Sequence, residues 1–310
     1  MPAYIRIIRP VNLLIIAILQ SIFYFGLILP VYEKYGIIPL LDNFQFILII
    51  ITTLIITGSG YIINDIYDIK TDKINKGKKS IVGKYISGTY ARLYYFILII
   101  IGFFTALYIA TQINKILYIG FYFMAVSLLY FYSSSLKKTL LWGNVLVSAF
   151  SASVLGIILF IEKEGLAELA IAAKEDFYFI FLLLITFIVF SFIVSLSREI
   201  VKDIEDMEGD NIIRAKTLPL IRGIEFSKKI VQFLLILTMI LLFLISLSEF
   251  YHHNYFKTFL ILILLLMPCI TIIYKLNISV IQKDFYFISQ YLKLLMFSSV
   301  LILLFYVFSR

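Results

Sequence analysis

Long apolar stretches dominate the chain, and short polar segments separate them. A helix of about 20 apolar residues crosses the hydrocarbon core of a bilayer. The pattern therefore predicts an all-α, polytopic membrane protein with nine transmembrane helices. The predicted spans cover residues 11–31, 45–63, 90–111, 116–135, 140–161, 177–197, 230–248, 257–275 and 287–308.

Composition agrees with this prediction. Of the 310 residues, 62% are hydrophobic, and the mean hydropathy is +1.01, whereas about half of a soluble domain is apolar. We expect a single integral-membrane domain over residues 1–310, with a first helix that is retained rather than cleaved as a signal peptide. The single cysteine, Cys269, permits no intramolecular disulfide.

Lysine and arginine are distributed unequally between the two sides of the predicted bundle. With the N-terminus inside, the inside segments carry 20 of the 27 basic residues and the outside segments carry six. Basic residues collect in cytoplasmic loops, so we expect a cytoplasmic N-terminus. The same rule explains the net charge of +8 without a nucleic-acid partner.

Two acidic clusters follow apolar spans. The first acidic cluster is Asn64, Asp65, Asp68 and Asp72, and the second acidic cluster is Asp203, Asp206 and Asp210, with Glu199 one turn earlier. Steps of three and four place such residues on one helix face. Stacked carboxylates repel one another, and Mg²⁺, which prefers oxygen ligands and is often shared with substrate phosphates, is the usual reason for such stacking.

The alternative is that these carboxylates are solvated ends of membrane helices. Two clusters on two helices at similar depth favour function over that alternative. Both fall on the predicted cytoplasmic side, and they can face each other across one central cavity open to that side. The segments 64–92 and 198–229 begin with the clusters, and we expect them to cap the site.

The first cluster matches in full the motif Asn-Asp-x-x-Asp-x-x-x-Asp, and the second fits a looser Asp-rich helix end. In both, the sequence resembles the UbiA superfamily of intramembrane prenyltransferases. Nine helices fit the same family, so the resemblance covers nearly the whole chain. Smaller matches are Arg9, Pro10 and Asn12, Tyr132–Lys138 with Gly143 and Asn144, and Ala215–Pro219.

Within the superfamily, the stretch 198–210 is most similar to the geranylgeranylglycerol-phosphate geranylgeranyltransferases, which make archaeal-type ether lipids. Many members of that branch carry Arg-Pro-x-Arg-Pro after the first motif, whereas residues 76–80 here read Lys-Gly-Lys-Lys-Ser. The basic character is kept and the prolines are not. The resemblance of residues 198–210 implies a prenylglycerol phosphate as the acceptor, and the departure at residues 76–80 leaves an aromatic ring, as in quinone biosynthesis, as the alternative.

The resemblance implies Mg²⁺-dependent transfer of a prenyl group, geranylgeranyl in that branch, from an allylic diphosphate to the acceptor, with release of diphosphate. The expected partners are this diphosphate, a lipid-like acceptor and membrane lipid. The expected metal ligands are Asn64, Asp65, Asp68, Asp72, Asp203, Asp206 and Asp210, and catalysis is assigned to Asp68, Asp72, Asp203, Asp206 and Asp210. The expected substrate-binding residues are Arg9, Asn12, Asn64, Tyr132, Lys137, Lys138, Arg198, Glu199, Lys202 and Lys216.

A cation-binding membrane transporter is the rival of another class. Such a protein should carry ionisable residues near the middle of its spans and interrupted helices in repeated positions. Here the charges gather at one end of the spans, and this favours an enzyme.

Overall fold

The computed structural model describes residues 2–75 and 80–308. Four of the basic residues used to predict the orientation lie outside this part of the chain: Lys76, Lys78, Lys79 and Arg310. Within it, nine helices are long and apolar enough to cross a membrane, which confirms the all-α fold and the nine spans. They are α1 (Pro10–Tyr35), α2 (Asn43–Tyr67), α3 (Gly88–Gln112), α4 (Ile116–Ser134), α5 (Trp142–Ile161), α6 (Lys174–Glu205), α7 (Ile224–Tyr251), α8 (Tyr255–Ile278) and α9 (Gln282–Phe308).

Local sequence explains where several helices begin. Asp42 and Gln45 form a reciprocal capping box at the start of α2, with the Gln45 amide donating to the Asp42 carboxylate over 2.8 Å. Ser87 caps α3 through the Tyr90 amide. These caps satisfy N–H groups that the first turn of a helix leaves without partners.

Helix α6 extends eight residues beyond its predicted apolar span, to Glu205. Hydropathy marks only the part of a helix that suits lipid. The backbone can continue the helix into water through residues such as Glu and Lys, which have high helix propensity. The second acidic cluster therefore begins on the last turns of α6.

Two spans contain π-helical segments, Ile22–Ile28 within α1 and Leu262–Leu266 within α8. A π-helical turn widens the helix without changing its hydrophobic character. The apolar pattern therefore predicts the spans but not these segments.

The chain divides into two compact units, Met1–Lys137 with Val154–Phe181, and Lys138–Ser153 with Leu182–Arg310. In the first unit, α2 is the central helix and packs against α1, α3 and α4. Gly60 permits close packing, because a Cβ there would lie 3.1 Å from Leu129 of α4. A core cluster that includes Ile7, Ile62 and Val82 joins the segment after α2 to the start of the chain.

In the second unit, α7, α8 and α9 pack against one another. The buried Lys228 of α7 ties this group to the end of α8, because its ammonium donates to Glu225 over 2.8 Å and to the Ser279 carbonyl over 2.7 Å. Near the opposite ends of the helices, the Tyr306 hydroxyl of α9 donates to the Glu249 carboxylate of α7 over 2.8 Å.

Glu162 follows α5 and is completely buried. One carboxyl oxygen accepts from the Leu40 amide at 3.5 Å, and the other has no hydrogen-bond partner among the described residues. The Tyr32 hydroxyl donates to the backbone carbonyl of Glu162 at 3.4 Å. Burial raises the pKa of Glu162 from 4.5 to about 7, because the ionised form is poorly solvated there.

This shift predicts a stability that depends on pH. Below pH 4.5 the carboxyl is protonated in both the folded and the unfolded chain, and its stabilising contribution is complete. That contribution falls as the pH rises towards 7, by about 3 kcal/mol in total. Glu162→Gln should remove this dependence, so that its thermal unfolding midpoint in detergent changes less between pH 5 and pH 8 than that of the unmodified protein.

The matched control is Glu164→Gln. Glu164 is largely exposed and pairs with Lys115 over 2.8 Å, so this variant should keep the pH dependence. Parallel pH profiles for the unmodified protein and Glu162→Gln would contradict the prediction.

Candidate active site at two acidic helix ends

The first acidic cluster lies where α2 ends. Asp68 has φ −88° and ψ 2°, and a second short helix, Ile69–Asn75, follows it directly. The Asp68 amide donates to the Asn64 carbonyl over 2.9 Å, and the Asp72 amide donates to the Asp68 carbonyl over 2.8 Å. These helical bonds continue across the break, so Asn64, Asp68 and Asp72 stand on successive turns.

Lys137 supplies a cation to this cluster. Its ammonium forms an ion pair with Asp68 and lies 3.5 Å from the side-chain oxygen of Asn64, Oδ1. The side-chain amide of Asn64 donates to the Asp68 carboxylate over 2.7 Å. The predicted residues Asn64, Asp68 and Lys137 therefore meet, although 69 positions separate Lys137 from Asp68.

Arg9 supplies a second cation. Its guanidinium donates to the Asp65 carboxylate over 3.0 Å and lies 4.4 Å from the centre of the Tyr61 ring. Arg9 has a φ of 53°, a left-handed conformation that is uncommon for a residue with a Cβ. Asn12 donates to the Tyr61 hydroxyl over 3.2 Å, an interhelical bond from α1 to α2.

The second acidic cluster repeats the backbone arrangement of the first. Helix α6 ends at Glu205, Asp206 has φ −95° and ψ 6°, and the short helix Met207–Ile212 follows. The Asp206 amide donates to the Lys202 carbonyl over 2.8 Å, and the Asp210 amide donates to the Asp206 carbonyl over 3.1 Å. Each cluster thus interrupts its helix at an aspartate, while the amides of the aspartates at and after the break keep their bonds to the carbonyl four residues earlier.

Side chains around the second cluster pair mainly with one another. Arg198 and Lys202 both bind Glu199, each over 3.1 Å, so these three expected substrate-binding residues bind one another. Asp203 accepts from the Asn144 amide of α5 over 2.7 Å. Lys138 and Lys216 meet through their backbones, with the Lys216 amide donating to the Lys138 carbonyl over 2.7 Å.

The oxygen ligands of both clusters are of the type that Mg²⁺ prefers. Across residues 2–75 and 80–308, however, no three Asp, Glu, His or Cys side chains converge closely enough to hold a metal ion. Instead, Asp65 binds Arg9, Asp68 binds Lys137, and Asp203 accepts a hydrogen bond from Asn144. Metal binding by these residues fits their chemistry, requires some of these pairs to open, and stays a prediction.

Three polar residues beside the clusters were not assigned to the site from the sequence: Tyr61, Asn144 and Thr217. Asn144 and Thr217 both lie in segments that resemble the family, and those segments were the available signals. The predicted Tyr132 is half-buried at the end of α4, and its neighbour Tyr130 accepts a hydrogen bond of 2.9 Å from the Tyr67 hydroxyl.

Comparisons with known proteins identify the family of this chain. A family model described as the UbiA prenyltransferase family matches residues 23–298. The digeranylgeranylglyceryl phosphate synthase of Saccharolobus solfataricus is 34% identical over 230 residues, which cover 74% of this chain and 72% of that protein. The enzyme of the same name from Methanosphaera stadtmanae is 31% identical over 299 residues, 95% of each chain.

Two solved structures share the fold. One, from a study of digeranylgeranylglyceryl phosphate synthase in membranes, has a TM-score of 0.62 and 24% identity and covers 99% of this chain and 98% of its own. The other, a UbiA homolog from Archaeoglobus fulgidus bound to DMAPP and Mg²⁺, has a TM-score of 0.54 and 20% identity over 96% and 98% of the two chains. The chain belongs to the UbiA prenyltransferase family, and the prediction of a multi-pass membrane prenyltransferase is confirmed.

Proposed function

Since the chain is a UbiA prenyltransferase, we propose that it transfers a geranylgeranyl group from an allylic diphosphate to the hydroxyl of a prenylglycerol phosphate. The main observation in support of a diphosphate donor is the first acidic cluster, where oxygen ligands on successive helical turns contact the Lys137 cation. The acceptor half is supported by the relatives named digeranylgeranylglyceryl phosphate synthase.

In this reaction the bond between the allylic carbon and the diphosphate oxygen breaks, and its electron pair leaves with the diphosphate. We propose that both acidic clusters supply the Mg²⁺ ligands, with Asn64, Asp68 and Asp72 in the first and Asp206 and Asp210 in the second. Bound Mg²⁺ would supply positive charge that stabilises the leaving group. Lys137 and Arg9 would add direct cationic contacts to the diphosphate oxygens.

The prenyl carbon becomes electron-poor as the diphosphate leaves, and the acceptor hydroxyl oxygen forms the new bond to it. Aromatic side chains such as Tyr130 and Tyr132 suit the walls around this carbon, because their ring faces attract positive charge. The proton of the hydroxyl needs a base. We assign it to Asp203, whose bonded partner is a neutral amide, whereas Glu199 is held by two cations.

We also propose that residues 1–310 form one integral-membrane domain with both clusters on the cytoplasmic side. The family match extends over residues 23–298 and so includes both compact units. The excess of basic residues in the predicted inside segments supports the orientation.

An activity assay tests the acceptor. Purified protein is given geranylgeranyl diphosphate and Mg²⁺, with geranylgeranylglyceryl phosphate and an aromatic acid offered in parallel. We expect prenylated glycerol phosphate as the product. Isolation of the prenylated aromatic acid alone would contradict the proposed acceptor and favour the alternative from quinone biosynthesis.

The proposed metal ligands predict the effect of removing single charges. Asp68→Asn and Asp206→Asn keep the side-chain shape but lose a carboxylate from the middle of each cluster. Each should lower the turnover number by at least about 100-fold, because the leaving group loses charge stabilisation, while folding and membrane insertion are retained.

Glu208→Gln is the matched control. Glu208 is exposed in the same short helix as Asp210, and this variant should turn over normally. Normal turnover of Asp68→Asn or Asp206→Asn at saturating Mg²⁺ would rule out the proposed role of both clusters.

The orientation predicts which engineered cysteines a membrane-impermeant thiol reagent reaches in intact cells. With Cys269 replaced by alanine, Thr89→Cys and Asn211→Cys should be labelled only after lysis, and Ala172→Cys should be labelled before it. All three positions are exposed, so access depends on the side of the membrane. Labelling of Thr89→Cys and Asn211→Cys in intact cells, without Ala172→Cys, would reverse the proposed topology.

A further inference from the structure

The turn after the second acidic cluster brings two lysines together. The Ala215 amide donates to the Asp210 carbonyl over 3.0 Å, and the Lys216 amide donates to the Lys138 carbonyl over 2.7 Å. Arg214, which lies between Asp210 and Ala215 in this turn, has a φ of 53°, which is uncommon for a residue with a Cβ. The backbone bond therefore places Lys216 beside the three-residue turn that ends at Lys138.

Both lysine side chains are exposed, and neither forms an ion pair with any residue in the described ranges. Arg198 and Lys202, beside the second cluster, differ because both are held by Glu199. Lys138 and Lys216 are therefore available to an anionic ligand without the loss of an ion pair.

Thr217 adds a hydrogen-bonding group next to Lys216. Its side chain is 1% exposed, and its hydroxyl has no hydrogen-bond partner in the described part of the chain. Although Thr217 precedes the short helix Leu218–Arg222, its side chain does not cap that helix. A buried hydroxyl without a partner costs free energy, and an incoming acceptor atom would remove that cost.

We propose that Lys138, Lys216 and Thr217 form a subsite for a phosphate monoester, the phosphate of the acceptor. This inference rests on the proposed function and selects Lys138 and Lys216 from the expected substrate-binding residues as the contacts of the acceptor phosphate. Two ammonium groups match the two negative charges of the monoester, and the hydroxyl donates to a third oxygen. An aromatic acceptor without phosphate would make no use of this arrangement.

The donor diphosphate has similar chemistry, so the test compares the two substrates. Michaelis constants for geranylgeranylglyceryl phosphate and geranylgeranyl diphosphate are measured for Lys216→Ala, Thr217→Val and Thr217→Ser. We expect Lys216→Ala and Thr217→Val to raise the constant for the acceptor about 10-fold or more, as expected for a lost hydrogen bond to a charged group. The constant for the donor should change less than twofold, and Thr217→Ser should behave like the unmodified protein.

Thr217→Val also separates a binding role from a structural one. The valine removes a buried unpartnered hydroxyl, so its thermal unfolding midpoint in detergent should be unchanged or higher. Weaker acceptor binding together with retained stability supports the subsite. Lys229→Ala is the control, because Lys229 is an exposed lysine of the same unit with no ion-pair partner within the described residues, and it should leave both constants unchanged.

Direct binding separates failure of the subsite from failure of the proposed function. Trp142, the single tryptophan, lies four residues after Lys138, and its fluorescence can be titrated with geranylgeranylglyceryl phosphate and with the dephosphorylated alcohol, without donor or Mg²⁺. We expect the unmodified protein to prefer the phosphate about 10-fold or more, and Lys216→Ala to lose that preference.

If the unmodified protein transfers only to an aromatic acceptor, the proposed function is wrong. If it transfers to the glycerol phosphate, but Lys216→Ala and Thr217→Val keep the acceptor constant and the binding preference unchanged, the subsite is wrong. Equal rises in the constants for donor and acceptor would also overturn it, because the residues would then bind the diphosphate.

Discussion

Lipid offers no hydrogen-bond partner to a peptide group, so each segment that crosses the bilayer must satisfy its backbone internally. A helix does this whatever its side chains are, and the spans can therefore be almost uniformly apolar. The consequence for chemistry is that charged groups are costly inside the spans and gather at the helix ends. Helices α2 and α6 continue past their apolar stretches, and each acidic cluster begins on such a continuation and ends in the short helix that follows it.

Such helix ends carry stacked carboxylates, and the structure shows how their repulsion is offset. Lys137 binds Asp68, Arg9 binds Asp65, and the amide of Asn144 donates to Asp203. These contacts hold the acids in place, and a carboxylate has about four lone-pair sites with which it can also bind a metal ion. The cations that neutralise the first cluster are also suited to a diphosphate, so one set of residues serves both the stability of the cluster and its proposed chemistry.

The sequence was sufficient for the nine spans and for the acidic motifs, because hydropathy and helical spacing are local properties. It could not predict contacts between distant segments. Arg9 and Asp65 are 56 positions apart, and Asn144 and Asp203 are 59 positions apart. The breaks at Asp68 and Asp206 and the π-helical segments also escape a pattern that records only apolar and polar positions. Burial of Glu162 depends on the folded surroundings of a residue whose type is usually exposed.

The ion pairs in the structure change which cations are assigned to the substrate phosphates. From sequence alone, every lysine or arginine near a cluster is an equal candidate for binding phosphate. The ion pairs in the structure separate these candidates into two groups. A guanidinium or ammonium already held by a carboxylate, in the first group, must give up that partner to bind substrate, whereas an unpaired cation, in the second, need not. Arg198 and Lys202, held by Glu199, fall in the first group, and Lys138 and Lys216 fall in the second. Arg9 and Lys137 also belong to the first group, so Asp65 and Asp68 would have to release them, for example by binding Mg²⁺, before they could contact the diphosphate. Donor and acceptor phosphates would then be recognised by different cations, and the enzyme would hold two anionic substrates at once.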